Sequence, residues 1–297
     1  MRRSDFAGPD DLRAMQQMCS RLWSPSSRFH PGQLAWNHYS TSGATGRLEI
    51  DEAISLWREG PDVVGFGWAD SQDWLELEVD PAHPDVADAV VEWFEEWSDA
   101  DHQSVLVMEG DASEPALAAA GFERRPTAWH FTHHLLDLAH LSPAPTVPGY
   151  TFRPVTGPRE AAPRAACHAS SWSEFGPSTV SAETYAAVMA AWPYRPDLDW
   201  VAVAPDGSMV ASCLVWLDPA TGVGLVEPVG CVPGHRGRGL ARAVTLAALG
   251  RLREAGGRIA LVSPRGDEGY TGPRRLYESL GFRPVARTMT WTRSLAS

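Results

Sequence analysis

Apolar residues recur along this chain in two rhythms, one of strands and one of helices. In the second half, 200–204 and 209–217 run apolar on either side of Asp206-Gly207, the pattern of a β-hairpin. Residues 224–232 read as a further strand. Residues 239–255 switch to helical spacing, with Leu240, Val244, Ala247, Ala248 and Leu252 on one face, and Gly256-Gly257 stops the helix. A buried strand over 258–262, a short helix over 274–280 ended by Gly281, and a last strand over 285–291 follow. Ahead of the hairpin, 150–155 reads as a strand, and 159–171 and 182–191 as helices, the second stopped near Pro193. The order is β-α-α-β-β-β-α-β-α-β.

The first half carries a fainter copy of that order. Residues 12–22 are helical in pattern; 54–57, 63–68 and 75–79 alternate as strands; 86–97 is a helix and 104–108 a strand. A short helix over 116–120 stops at Gly121, and 129–134 is a strand. Two stretches align between the halves: 75–81 with 226–233, and Gly121-Phe122 with Gly281-Phe282. Between the halves, 140–149 holds three prolines and a glycine, which favours an extended linker. The expected organisation is a duplicated α/β unit: 1–139, a linker at 140–149, and 150–297.

Composition sharpens the division. The 297 residues are 44% hydrophobic and 21% charged, a globular balance. No apolar run approaches the roughly 20 residues a bilayer demands, and no secretory h-region follows Met1, so a cytoplasmic protein without membrane contact is expected. The four cysteines show no CxxC spacing and read as free thiols, with no metal site. His130, His133 and His134 on the 129–134 strand read as ordinary core or surface histidines. All 25 basic residues are arginine. Residues 1–148 hold 9 of them against 25 acids, and residues 149–297 hold 16 against 12. An acidic first half argues against nucleic acid, and a mildly basic second half suits a polyanionic small molecule.

Candidate chemistry concentrates at 229–241. A strand ends in Val229-Gly230-Cys231-Val232, and Arg236-Gly237-Arg238-Gly239-Leu240-Ala241 leads into the amphipathic helix. The first turn of a helix has unpaired N–H groups and a positive dipole end, both suited to an anion. Gly237 and Gly239 let a ligand approach the backbone. Arg236, Arg238 and Arg242 add positive charge. No Gly-Lys-Ser/Thr follows, so this is not a P-loop, and the glycines do not fit a dinucleotide fingerprint. Pyrophosphate is the expected ligand.

Arg236 through Ala241 resembles the Arg/Gln-x-x-Gly-x-Gly/Ala signature of the Gcn5-related N-acetyltransferase (GNAT) family, and the preceding Pro-Val-Gly-Cys-Val-Pro looks like that family's fourth strand. The resemblance covers most of 149–297. It implies two tandem GNAT-like domains, each a mixed, mostly antiparallel sheet flanked by helices. It also implies acetyl-CoA as co-substrate, with pantetheine along Val229, Gly230, Cys231 and Val232 and the diphosphate on Arg236, Gly237, Arg238, Gly239, Leu240 and Ala241. The acceptor would be an amine of a small molecule or peptide, and the chain a monomer or homodimer. Leu276-Tyr277-Glu278-Ser279-Leu280-Gly281-Phe282 resembles the family's Leu-Tyr-x-x-x-Gly-Phe element, which makes Tyr277 the expected general acid. The family often has asparagine seven residues earlier; here Tyr270 stands there, in a longer polar insert at 264–270 that could shape an acceptor pocket. Glu227 is the candidate base, placed by period two on one face with Val229 and Cys231, where an apolar setting would raise its pKa. A catalytically silent acyl-CoA sensor is the alternative.

The first half lacks these parts. Asp80, Asp85 and Asp88 replace the glycine-arginine loop and would repel a diphosphate, and Leu117 stands where Tyr277 does. Residues 1–139 therefore read as a degenerate unit. Its tryptophans read as packing residues, or with the acids as a cleft wall for a cationic acceptor.

Overall fold

The computed structural model describes residues 1–41, 53–126 and 129–295. In the first half the chain runs β1 (Arg2–Asp5), α1 (Pro9–Leu22), α2 (Pro31–Thr41), β2 (Ile54–Glu59), β3 (Asp62–Ser71), β4 (Trp74–Val79), α3 (Asp85–Trp97), β5 (His102–Met108), α4 (Glu114–Ala119), β6 (Glu123–Arg124) and β7 (Thr132–Asp137). The second half runs β8 (Thr151–Pro154), α5 (Ala161–Ser171), α6 (Ala182–Ala190), β9 (Asp199–Val203), β10 (Met209–Asp218), β11 (Val223–Cys231), α7 (Leu240–Glu254), β12 (Ile259–Val262), α8 (Gly272–Leu280) and β13 (Arg283–Ser294).

Among the described residues the strands form one sheet in the order β1-β2-β3-β4-β5-β13-β7-β12-β11-β10-β9-β8, with β6 beside β13. The order is a palindrome of the repeat: β1 to β5 mirror β8 to β12, and β7 mirrors β13. Pairing is antiparallel except for β4 with β5 and β11 with β12. The halves exchange their last strands. β7 pairs with β12, Ile259 opposite Asp137, while β13 pairs with β5 through Thr288↔Met108 to Ser294↔His102 and with β7 through its first residues. The sheet thus runs unbroken through both halves of the chain.

Strand alternation sorts β10 between two layers. Cys213, Val215 and Leu217 pack with Leu240, Val244, Ala248 and Leu252 of α7. Leu214 and Trp216 face the other way, against Val188 of α6 and Ala35 of α2. The first-half helix α2 therefore lies on the second half's sheet. The contact is close: a Cβ on Gly32 would sit 2.1 Å from Trp216 Cβ. Arg13 stacks on the Trp192 ring at 3.2 Å, and Gln16 Nε2 donates to Trp192 O at 3.0 Å. In the first half, Val86, Val90 and Phe94 of α3 cover Leu75 and Val105.

Candidate active site

The site grows from a fault in the sheet. β11 pairs with β12 only through Val223, Gly224 and Leu225, then runs on to Cys231. Beyond Leu225 it departs from β12 and leaves a gap. Against β10 the register jumps: Cys213 faces Val229 but Val215 faces Val226. β11 thus carries one more residue than its partner at Glu227-Pro228, a β-bulge, at a proline that has no N–H for the ladder. In the first half, β4 keeps an unbroken register from Val79↔Gly65 to Leu75↔Ala69, with no such bulge at its end.

The bulge changes which way Glu227 faces. Val226 lies in the α7-side core, and Val229 and Cys231 pack against it. Glu227 and Pro228 instead line a cavity with Trp36, His168 and Trp172. The period-two expectation that put Glu227 on one face with Val229 and Cys231 is corrected, because the extra residue breaks the alternation. Gly230 shares Glu227's side: a Cβ there would meet Trp172 Cζ3 at 2.3 Å, so the end of α5 sits directly on β11. Val232 N–H donates to Val210 O in β10 at 2.9 Å. By antiparallel alternation the main-chain groups of Gly230 also face β10, and those of Val229 and Cys231 face the gap.

The loop after β11 is built to leave space. Gly237 and Gly239 have φ of +75° and +80°, and Gly239 is the α7 N-cap. A Cβ on either would meet nothing within 4 Å. The first helical bond runs from Ala243 N–H to Gly239 O, so the amides before it lie outside the α7 ladder. These open amides at a helix start fit a diphosphate. The arginines divide their work. Arg236 donates to Cys231 O at 3.1 Å, Ser171 O at 2.9 Å and Glu174 at 2.6 Å, so its guanidinium braces the loop against α5. Arg238 donates to Tyr150 Oη at 3.2 Å, and that hydroxyl lies 3.0 Å from His235 Nδ1. Arg242 donates to Ser279 O at 3.0 Å and so joins α7 to α8.

Tyr277 on α8 is 6% exposed and packs in the α7-side core with Leu240, Val244 and Phe282. Burial, reinforced by Cys213, Glu227 and Tyr270 nearby, drives its hydroxyl far above the usual range, so it stays protonated. Glu227 is half-buried, and desolvation lifts its carboxyl from 4.5 to about 7, with Arg28 opposing. The structure thus sets a neutral proton donor and a carboxyl poised near neutrality around one bulge. Sequence reasoning held Trp36 among the first-half tryptophans that could wall a cleft, but missed His168, Trp172 and Phe175 as cavity residues. Pro228 inside a strand was the one signal for the bulge that turns Glu227 toward them.

The corresponding first-half splay is acidic. Where β4 parts from β5, Glu78, Glu109 and Asp111 line a cavity of about 190 Å³. Burial and Asp111 push Glu78 up to about 8. His133 and His134 are buried, and burial lowers His133 to about 4.

Residues 165–282 match the acetyltransferase (GNAT) family profile. That stretch, about two fifths of the chain, is similar to a GNAT acetyltransferase domain. A mycothiol acetyltransferase of Thermobispora bispora is 50% identical over 60 residues, 20% of each chain. One from Beutenbergia cavernae is 38% identical over 94 residues, 31% of each. The matched stretches thus span less than a third of either relative. Two solved structures share the fold over nearly the whole length. A tandem GNAT protein from the clavulanic acid biosynthesis pathway has a TM-score of 0.64 at 18% identity, covering 100% of this chain and 99% of that one. A GCN5-related N-acetyltransferase from Sphaerobacter thermophilus has a TM-score of 0.61 at 20% identity, covering 98% and 95%. The architecture is that of tandem GNAT proteins. No helix among the described residues is long and apolar enough to cross a membrane.

Proposed function

We propose that the chain is an N-acetyltransferase that moves an acetyl group from acetyl-CoA to a primary amine of a small molecule or peptide. One active site serves it, in the unit 150–297; the unit 1–139, joined through 140–149, has no CoA site of its own. The observation that carries this reading is the bulge of β11, which sets Glu227 at a cavity while the glycine loop opens at the same strand's end.

The amides from Gly237 to Ala241 hold the diphosphate, with Arg236 bracing the loop and Arg238 at its edge. Main-chain groups of Val229 and Cys231 meet the pantetheine arm, flanked by Gly230 and Val232. The thioester supplies the acetyl group. Glu227 takes a proton from the acceptor ammonium, and the freed amine nitrogen forms a bond to the carbonyl carbon. The carbon–sulfur bond breaks, the Tyr277 hydroxyl gives its proton to the departing sulfur, and the second proton shed by the new amide nitrogen restores that hydroxyl while Glu227 passes its own proton to solvent. The products are an amide and CoA thiol. The reacting groups need no metal in this scheme.

Thiol release from acetyl-CoA with a panel of primary amines tests the reading. Mycothiol-related amines belong in that panel because the named relatives are mycothiol acetyltransferases. Amine-dependent release that falls by roughly ten- to a hundredfold in Tyr277→Phe, at unchanged acetyl-CoA affinity, is the expected result. Tight acetyl-CoA binding with no amine-dependent release would make the chain a sensor instead.

A further inference from the structure

The cavity beside Glu227 has a volume of about 390 Å³ and is shared by the two halves. Helix α2 of the first half contributes Trp36 and Ser40; the end of α5 contributes His168 and Trp172. The rings form a continuous wall. Trp36 lies 5.3 Å from His168, which stacks on Trp172 at 4.4 Å and 21°. At the rim stands Phe175, 57% exposed, its ring edge-on to Tyr270 at 5.3 Å. Tyr270 is itself 38% exposed and comes from the polar insert before α8. That insert is stiffened by a two-pronged Arg265–Asp267 pair, with both bonds at 2.8 Å. Two large rings left in water and held against each other at a cavity mouth do nothing for the core; such placement is typical of recognition surfaces.

The charge of the lining narrows the occupant. Among the described residues lining the cavity, Glu227 is the one carboxylate and no arginine is present. His168 is neutral, since burial and Arg164 hold it near 3. A neighbouring cavity of about 210 Å³ shares Trp36 and Ser40 and adds Asp70 and Glu76. The nearby cation, Arg28, is already held by Glu76 at 2.6 Å, so a carboxylate or phosphate on the occupant would be desolvated beside acids with no uncommitted charge in the lining to meet it. An amine reaching Glu227 from a flat, uncharged body meets only ring faces and hydroxyls.

We propose that this cavity seats the acceptor, that Trp36 of the first half and the Phe175–Tyr270 pair select it, and that the acceptor is a primary amine on a flat body free of anionic groups. Arylalkylamines and aminosugars share that chemistry, since an aryl ring and the C–H face of a sugar ring can each lie against an aromatic side chain. The first half then acts as the specificity wall of a reaction carried out in the second. This inference rests on the acyl-transfer reading of Glu227.

The test is calorimetry on the full chain saturated with CoA, a complex that binds the acceptor without turnover. Tyramine is compared with tyrosine, and glucosamine with glucosamine 6-phosphate; the better pair tells aryl from sugar bodies. The expected result is binding of at least one anion-free amine, its anionic counterpart being weaker by about tenfold or more. Trp36→Ala and Tyr270→Ala should each weaken that amine on the order of tenfold, with CoA affinity unchanged and Trp36→Phe restoring most of the loss. Equal binding of the anionic partner, an unaffected Trp36→Ala chain, or no amine bound to a CoA-loaded chain would each overturn the inference. Amine binding by these rules without thiol release in turnover would sink the acyl-transfer reading alone and leave the cavity's assignment standing. Should the chain take up no CoA, the same titrations on the free chain decide the cavity.

Discussion

At the scale of single residues, the account turns on Glu227 and its proton. A base must be unprotonated to work, and burial has lifted this carboxyl from 4.5 to about 7. Activity should therefore rise as pH climbs through about 7, and kcat/KM measured from pH 5.5 to 9 should lose that limb in Glu227→Gln. The loss of rate at pH 8 should be about 10²- to 10³-fold. Folding stability carries the opposite sign. A carboxyl whose pKa is raised on folding costs nothing while both states are protonated, below about pH 4, and its cost grows as pH rises toward the folded value. Glu227→Gln should therefore unfold at higher denaturant at pH 8, on the order of 1–3 kcal/mol more stable, and match the parent near pH 4. That Glu227 lies on the strand before the glycine loop was legible in the sequence; the side to which it faces was not. Period two is a property of an unbroken ladder, and the extra residue at Glu227-Pro228 breaks it.

At the scale of elements, what was local in the sequence was readable. Helix α7 announces itself through Leu240, Val244, Ala248 and Leu252, and its observed span, Leu240–Glu254, falls within the expected 239–255. Helix α2 was missed. Its residues meet partners on more than one side, Leu34 in the first-half core, Ala35 and Trp36 against the second half, so no single apolar stripe marks it. Strand β1, Arg-Arg-Ser-Asp, has no apolar alternation at all and is held by its pairing with β2. The seat of α5 on β11 gives a test at this scale. In Gly230→Ala the new methyl must displace Trp172 or Ser171, each under 3 Å away. Loss of about 1–3 kcal/mol in chemical denaturation is expected, together with impaired thiol release because the cavity wall moves. Wild-type stability would show that α5 does not pack as described.

At the scale of the whole molecule, the repeat was visible and the exchange of last strands was not. Sequence similarity between halves reports which elements exist, while the choice of neighbour for β7 and β13 depends on contacts more than a hundred residues apart. In consequence neither half has a complete sheet alone. Residues 150–297 expressed by themselves would leave one edge of β12 bare where β7 belongs. Such a fragment should aggregate or unfold without cooperativity, and co-expression with 1–149 should recover a soluble complex. A monomeric, cooperatively melting fragment would show that the shared sheet is dispensable. Charge is arranged on the same scale: the glycine loop opens at the second splay, and Glu78, Glu109 and Asp111 occupy the first.

The most direct measurement of that asymmetry is a calorimetric titration of acetyl-CoA into the intact chain and into Gly239→Val. The account predicts one site per chain in the parent and loss of binding in the variant, whose added side chain fills the space left open before α7. Two sites per chain, or undiminished uptake by Gly239→Val, would contradict it.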